Sequence, residues 1–203
     1  MNKRNLFLYA ALTGLSVSAT AQTMNITRAG DTTIVKIAKS PKYLLLPIEE
    51  GKDEAQVILD NGKKTDTWMD VRLAQGKTDY YVSFKLNKGK TSVVKILNLK
   101  ADALALQKGQ LKLSNVWDVT NTDYYRPSYH HTPSYGWMND PVGMFYKDGV
   151  YHLCYQYNPY GSMWGNMHWG HAVSRDLIRL KEVEPTLRRD PMGHIFSGST
   201  VID

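Results

Sequence analysis

Apolar positions in the first half of the chain come in short runs with a period of two, separated by polar punctuation. Tyr80, Val82, Phe84 and Leu86 recur at every second residue, the pattern of a strand with one covered face. Residues 43–46 run into Pro47, residues 55–59 run into the turn residues Asp60-Asn61-Gly62, and residues 93–97 and 111–117 supply further strands. Trp68, Asp70 and Arg72 alternate with Met69, Val71 and Leu73, again as an extended segment would. The stretch 101–107 has room for one helical turn only, with Gly109 behind it. The region from Asn25 to about Asn121 is therefore expected to be an all-β unit, a sandwich-like accessory domain. Nothing in it gathers acids, histidines or a glycine loop into a site. Trp68 has two readings, an exposed ring for stacking on a sugar or a cover over the edge of a small core.

Beyond Asn121 the pattern changes. Residues 144–146 read as a strand, Lys147-Asp148-Gly149 as a turn, and residues 150–157 as the return strand. Residues 169–173 and 195–202 are further strand candidates. Nine of the thirteen tyrosines and all six histidines lie in this half, a composition suited to sugars, which present both C–H faces and hydroxyls. Sheets of four strands repeated around an axis make a β-propeller, and the region holds enough residues for one blade and part of another at about 40–50 per blade.

The N-terminus has its own signature. Lys3 and Arg4 precede a mostly apolar run over residues 6–17, and Ala19-Thr20-Ala21 offers the small residues of a cleavage site. The expected organisation is a signal peptide over residues 1–21, a β-rich accessory domain over 22–121, and a second strand-rich domain over 122–203, which the resemblance given below makes the beginning of a propeller. The apolar run is shorter than the roughly 20 residues that span a bilayer, so export to the periplasm or exterior is expected, without membrane insertion after cleavage.

Charge and cysteine use narrow the function classes. The formal net charge is +6, and two of the basic residues belong to the expected leader. Lys63-Lys64, Lys88 and Lys90 form short runs without interleaved aromatics, which argues for solvated faces and against a nucleic-acid track. The one cysteine, Cys154, forms no internal disulfide and reads as a small buried hydrophobe, since no partner arrangement for a thiol nucleophile is legible. His130 and His131 would project to opposite sides of an extended chain, and no spaced ligand set suggests a metal. No cofactor is expected, and oligomeric state is not legible.

One run carries specific chemistry. Trp137 to Gly143, WMNDPVG, sets Asp140 between an amide side chain and a proline. Alone, Asn-Asp-Pro reads as a turn, with Pro141 restricting the Asp140 backbone and Gly143 allowing a close approach. Together with YHLCYQYNP at 151–159, WGNMHWGHAVSRDL at 164–177 and FSGSTVID at 196–203, the run resembles the opening of glycoside hydrolase family 32, the levanase, inulinase and invertase group. The resemblance covers the second region and leaves the first untouched.

That resemblance implies a five-bladed propeller, of which this chain would hold the first part, and a retaining mechanism. It implies Asp140 as the nucleophile, Asn139 and Gln156 as hydrogen-bonding partners of fructosyl hydroxyls, Trp164 as a pocket wall, and Phe196 and Ser197 on the rim. Asn166, His168, Trp169 and His171 would frame the region. The family places Asn before the glycine where this chain has Val142, which leaves Asn139 and Asp140 in place. Its transition-state aspartate, in an Arg-Asp-Pro motif, and its acid/base glutamate follow the FSGS segment. Arg189-Asp190-Pro191 comes before Phe196 and reads as a decoy in the connection into FSGS. Glu182 and Glu184 precede that segment too. The expected activity is hydrolysis of β-fructosidic linkages in levan, inulin or related fructans, with this chain as the N-terminal portion of a larger enzyme. The alternative is a fructan-binding module or a catalytically inactive remnant.

Overall fold

The computed structural model describes residues 23–62, 67–117 and 126–201. The expected leader, the Lys63-Lys64 pair and the expected boundary at 121/122 lie outside them. Among the described residues all strands pair antiparallel, and the helical content is one 3-10 turn at Leu104–Leu106, inside the stretch read as a single turn.

Eight strands form the first region: β1 (Met24–Ala29), β2 (Thr32–Ile37), β3 (Tyr43–Ile48), β4 (Ala55–Asp60), β5 (Thr67–Val71), β6 (Tyr80–Lys85), β7 (Ser92–Leu97) and β8 (Lys112–Ser114). Five make one sheet in the order β1-β2-β7-β4-β5, and three make a second in the order β6-β3-β8. Val35, Ile37, Val57, Val71, Val94 and Ile96 from the larger sheet meet Leu44, Leu46, Ile48, Val82 and Phe84 from the smaller in one buried cluster. This is a two-layer β-sandwich, closed by inward-facing positions of alternating strands. The hairpin β1–β2 extends the expected set of strands. Pro47 does not end β3: it stands opposite Tyr81 of β6, past the last residue that β8 pairs, where a missing N–H costs little.

The second region is a four-stranded meander of β9 (Trp137–Lys147), β10 (Val150–Asn158), β11 (His168–Ser174) and β12 (Lys181–Leu187), in the order β12-β11-β10-β9. That is the form of one propeller blade. It differs from expectation in three places. WMNDPVG is continuous strand at the edge of the sheet, where a proline is tolerated, and does not turn. Residues 195–202 are expected as a strand, but over 195–201 the chain joins no ladder. β12 carries Glu182, Glu184 and Pro185, which disguise a strand. Its buried position Glu182 is accommodated because Oε2 accepts from both the N–H and the hydroxyl of Ser134, each at 2.7 Å.

Sandwich and blade share a core. Tyr43 of β3 and Trp117 pack with Tyr155, Tyr157 and Ala172 of the blade. Beside this cluster, Asn166 behaves like a strand partner for β5, the edge of the larger sheet. Its Oδ1 accepts from the Asp70 N–H at 3.0 Å and its Nδ2 donates to the Asp70 carbonyl at 2.8 Å. Arg189 Nη1 donates to the same Oδ1 at 3.0 Å. Asn166 has φ +40°, a conformation that asparagine tolerates better than most residues. Trp68 joins the junction as well: the Arg189 guanidinium lies 4.7 Å from its ring centroid, so its polar-side face meets a cation of the second region.

Replacing Asn166 by Ala leaves both polar groups of Asp70 unpaired and removes the acceptor of a buried guanidinium. A loss on the order of 2–4 kcal/mol in unfolding free energy is expected by chemical denaturation. A loss below 0.5 kcal/mol, the ordinary size of a surface substitution (about ±0.5 kcal/mol), would show that the amide does not hold the junction.

Candidate active site

The site is built on irregularities in β9. Between Tyr155 and Tyr157, strand β10 supplies one residue, Gln156. Between their partners Pro141 and Met138, strand β9 supplies two, Asn139 and Asp140. This is a β-bulge, which breaks the alternation of side chains and re-aims them at a sheet edge. A second bulge follows at once: Gly143 and Met144 stand opposite Leu153 alone. Gly143 has φ +53°, and a Cβ there would lie 2.5 Å from Thr200 Oγ1 and 2.7 Å from Trp169 Cζ3. Glycine is required twice over, by backbone conformation and by space.

The segment 195–201 is tied to the sheet beside these bulges by single bonds. The Ile195 N–H donates to the Met167 carbonyl at 3.0 Å. Trp169 Nε1 donates to the Phe196 carbonyl at 2.9 Å, and Thr200 Oγ1 to the Gly143 carbonyl at 3.1 Å. Ser197 Oγ donates to Asp140 Oδ2 at 2.9 Å. Trp169, with Val142 and Cys154, forms the buried floor beneath this strap, and Ile195 packs on it.

Asp140 is exposed, and the Ser197 hydroxyl, then the Asn139 amide, hold its carboxyl below the ordinary aspartate range. An ionised, solvent-facing carboxylate is what nucleophilic attack needs. Asn139 is itself fixed, its Oδ1 accepting from Trp137 Nε1 at 2.8 Å. Gln156 is 2 % exposed, stands opposite the first bulge, and has a buried Nε2 without a hydrogen-bond partner among the described residues. Trp164 and Phe196 are exposed and flank His194, with ring centroids 5.3 and 5.9 Å apart. His194 escaped the sequence reading. Its Nδ1 accepts from the Met167 N–H at 2.9 Å, which fixes the ring between the two aromatics.

The structure thus brings Asp140, Ser197 and Asn139 into one group and Trp164 and Phe196 into one aromatic row, with Gln156 in register with the bulge. His168 stands apart on the other face of β11, fully buried against Tyr160. His171 faces the site side, but its bond is to His152, at 2.9 Å between ring nitrogens. Cys154 is buried under Trp169 and burial pushes its thiol up, the behaviour of a packing residue. Asp190 accepts from the Met192 N–H at 2.8 Å and closes a local turn. Among the described residues no group of three His, Cys, Asp or Glu side chains is placed to hold a metal.

The sequence profile of the Glycosyl hydrolases family 32 N-terminal domain matches residues 130–203. Residues 130–203 are thus similar to the opening of glycoside hydrolase family 32. A Domain of unknown function, DUF4980, matches residues 29–129, which cover all the sandwich strands except most of β1. The levanase of Bacillus subtilis is 54% identical over 90 residues, covering 42% of this chain and 13% of the levanase. The extracellular exo-inulinase of Aspergillus awamori is 48% identical over 84 residues, covering 39% of this chain and 16% of the inulinase. Among solved structures, the β-fructofuranosidase of Schwanniomyces occidentalis complexed with fructosyl-erythritol aligns with a TM-score of 0.37 and 45% identity, over 38% of this chain and 16% of that one. The chain therefore spans less than a fifth of the length of these relatives, and the part that the family profile matches contains the bulged four-stranded sheet.

Two substitutions test the construction. Ser197→Ala removes the largest influence depressing the Asp140 pKa, so the carboxyl should titrate at higher pH; carbon-detected NMR of the side chain would read this, and an unchanged midpoint would remove Ser197 from the site. The sign for stability follows. Because the folded pKa is depressed, the contribution of Asp140 is present above the unfolded pKa, is lost as pH falls through the folded one, and shrinks in the variant. Gly143→Ala should cost about 2–4 kcal/mol in thermal or chemical unfolding, from the φ penalty and overlap with Trp169.

Proposed function

We propose that this chain carries the nucleophile-bearing blade of a retaining β-fructoside hydrolase, exported to act on levan, inulin or related fructans. The observation that carries the reading is Asp140, an ionised and exposed carboxylate on a bulge, oriented by Ser197 and Asn139 beside an aromatic row. Asp140 Oδ would attack the anomeric carbon of a fructosyl unit as the bond to the departing oxygen breaks, a second carboxylic acid giving that oxygen its proton. Water then cleaves the fructosyl ester, its proton passing to the same second carboxylate, with about 5–5.5 Å between the two groups. Asn139 and Gln156 would bond the fructosyl hydroxyls, and Trp164 and Phe196 would cover the sugar's apolar edge.

The second carboxyl is assigned to neither nearby glutamate of β12. Glu182 is buried against Ser134, and burial raises its pKa in the shared core away from Asp140. Glu184 is engaged with Lys42 at 3.2 Å and Arg188 at 3.6 Å. The acid is expected from the segments that follow FSGS in the family. The exposed row of Trp164, His194 and Phe196 also fits a fructan-binding module without turnover, and the same experiments decide between them.

Release of fructose or fructooligosaccharides from levan, inulin and sucrose is measured for the protein and for Asp140→Asn. Turnover should fall by on the order of 10³-fold or more in the variant, with fructan binding retained. Undiminished turnover would remove Asp140 as nucleophile, and binding without turnover by the unaltered protein would favour the module. Trp164→Ala should weaken fructosyl binding by about 1–3 kcal/mol; unchanged affinity would make the ring structural.

A further inference from the structure

A second concavity lies on the other side of the blade from Asp140, where sandwich and blade meet. It encloses about 180 Å³ and draws Lys85, Asn61 and Asn87 from the sandwich and Arg188, Arg189 and His168 from the blade. This is well above the ~10–15 Å³ that a single water needs. Three of its lining side chains are lysine or arginine, and none of the described lining residues is acidic.

The cations are under-compensated. Arg189 has Asn166 as a partner at 3.0 Å and Asp70 only at 3.9 Å. Arg188 reaches Glu184 at 3.6 Å, beyond hydrogen-bonding distance, and that carboxylate already serves Lys42 at 3.2 Å. Both Nη atoms of Arg188 are buried and make no hydrogen bond of ordinary geometry among the described residues; the neutral Tyr160 hydroxyl is the neighbour they act on, and the guanidinium rests 5.4 Å from the Trp117 ring centroid. Among the described residues, Lys42, Lys85, Arg188 and Arg189 thus have two carboxylates near them, Glu184 and Asp70, fewer than their four positive charges. Burial and then Arg188 lower the Lys85 pKa, and burial followed by the two arginines pushes His168 down to about 3. Buried donors without acceptors and crowded like charges are both costly, and an anion relieves both.

His168 narrows the kind of anion. It is fully buried, and its Nδ1 must donate to the Asn166 carbonyl, which only accepts. Held neutral, the ring then presents a lone pair at Nε2, which has no partner among the described residues. The site therefore combines cationic donors with one acceptor.

We infer that this junction is a binding site for a small divalent oxyanion bearing one hydroxyl, of the hydrogen-phosphate type, which staples the sandwich to the blade. The anion's oxygens take the Arg188 and Lys85 donors, and its hydroxyl donates to His168 Nε2. Guanidinium pairs suit tetrahedral oxyanions because their donors are arrayed in a plane with fixed spacing. The site lies outside the sugar chemistry, and its test is independent of whether Asp140 is a nucleophile.

The full chain is titrated with inorganic phosphate, above its second pKa, and separately with sulfate, at ionic strength held constant with sodium chloride. Isothermal titration calorimetry and thermal unfolding are the readouts. Phosphate should bind saturably and raise the unfolding temperature with the same midpoint, and sulfate, which lacks the hydroxyl, should bind more weakly. Lys85→Gln and Arg188→Gln should each weaken phosphate binding by about tenfold or more, the size of one lost charge-assisted hydrogen bond. Lys36→Gln, on β2, should leave it unchanged. If Arg188→Gln does not fold, the exposed Lys85 variant decides alone. A rise that is linear in concentration for both anions is general exclusion of the salt from protein surface and overturns the site. So does saturable binding that Lys85→Gln leaves intact, or sulfate binding as tightly as phosphate.

Discussion

The double burial of β3 is the constraint on which the rest depends. One face of this strand, Leu44, Leu46 and Ile48, closes the sandwich, and the other, through Tyr43 with Leu45 beside it, enters the core of the blade. A strand covered on both faces needs a continuous apolar run, which is what YLLLPI is. A polar residue at either set of positions would open a core, so sandwich and blade share their hydrophobic stabilisation. The amide of Asn166 and the guanidinium of Arg189 then finish the seam with hydrogen bonds where β5 would otherwise present a bare edge. Trp164 lies two residues from Asn166 and shares its loop, so the pocket wall hangs from the same seam.

The blade divides its faces by chemistry. Tyr155, Tyr157 and Ala172 look toward the sandwich, while Gln156 and Trp169 look toward Asp140 and the strap. Carboxylates follow the same division. Glu182, on the packed side, is raised by burial despite two hydrogen bonds from Ser134, whereas Asp140, in solvent, is lowered by hydrogen bonds with almost no desolvation against them. Of the two, Asp140 is the one whose ionised form its surroundings favour, and it is also the accessible one.

Much of the fold was legible because period-two alternation survives in strands with one wet face. Met69, Val71 and Leu73 are buried as their spacing demands, while Trp68, for which the spacing left two readings, is partly exposed with Arg189 over its ring. The hairpin β10 and its turn were readable for the same reason. Alternation failed where tertiary contacts replace it. β12 buries a glutamate, whose satisfaction by Ser134, 48 residues away, has no local sign. Residues 195–201 have strand-like composition but find no ladder partner, being held by scattered single bonds to Asp140, Gly143, Met167 and Trp169 instead. The bulges are invisible to periodicity, because a bulge is a mismatch between two strands and one strand alone does not record it. Motif resemblance located Asp140, Asn139 and Gln156 without saying that two of them oppose the third.

The bulges also explain why the WMNDPVG run is strand where its residues say turn. Asn, Asp, Pro and Gly favour turns through φ restriction and local side-chain bonds, each a small local preference. Against them stand the ladder to β10 on both sides of each irregularity and the burial of Val142 under Trp169. The conflict is resolved without abandoning either: the strand persists, and each turn-forming residue occupies a place where the ladder is interrupted or at an edge. Asp140 sits in the first bulge, Pro141 lies on the sheet's outer strand, and Gly143 supplies the left-handed residue of the second bulge. A regular strand would alternate Asn139 and Asp140 across the sheet. The irregular one lets Asn139 and Ser197 act on the same carboxylate, so the local preferences that argue against a strand are the ones that shape the site.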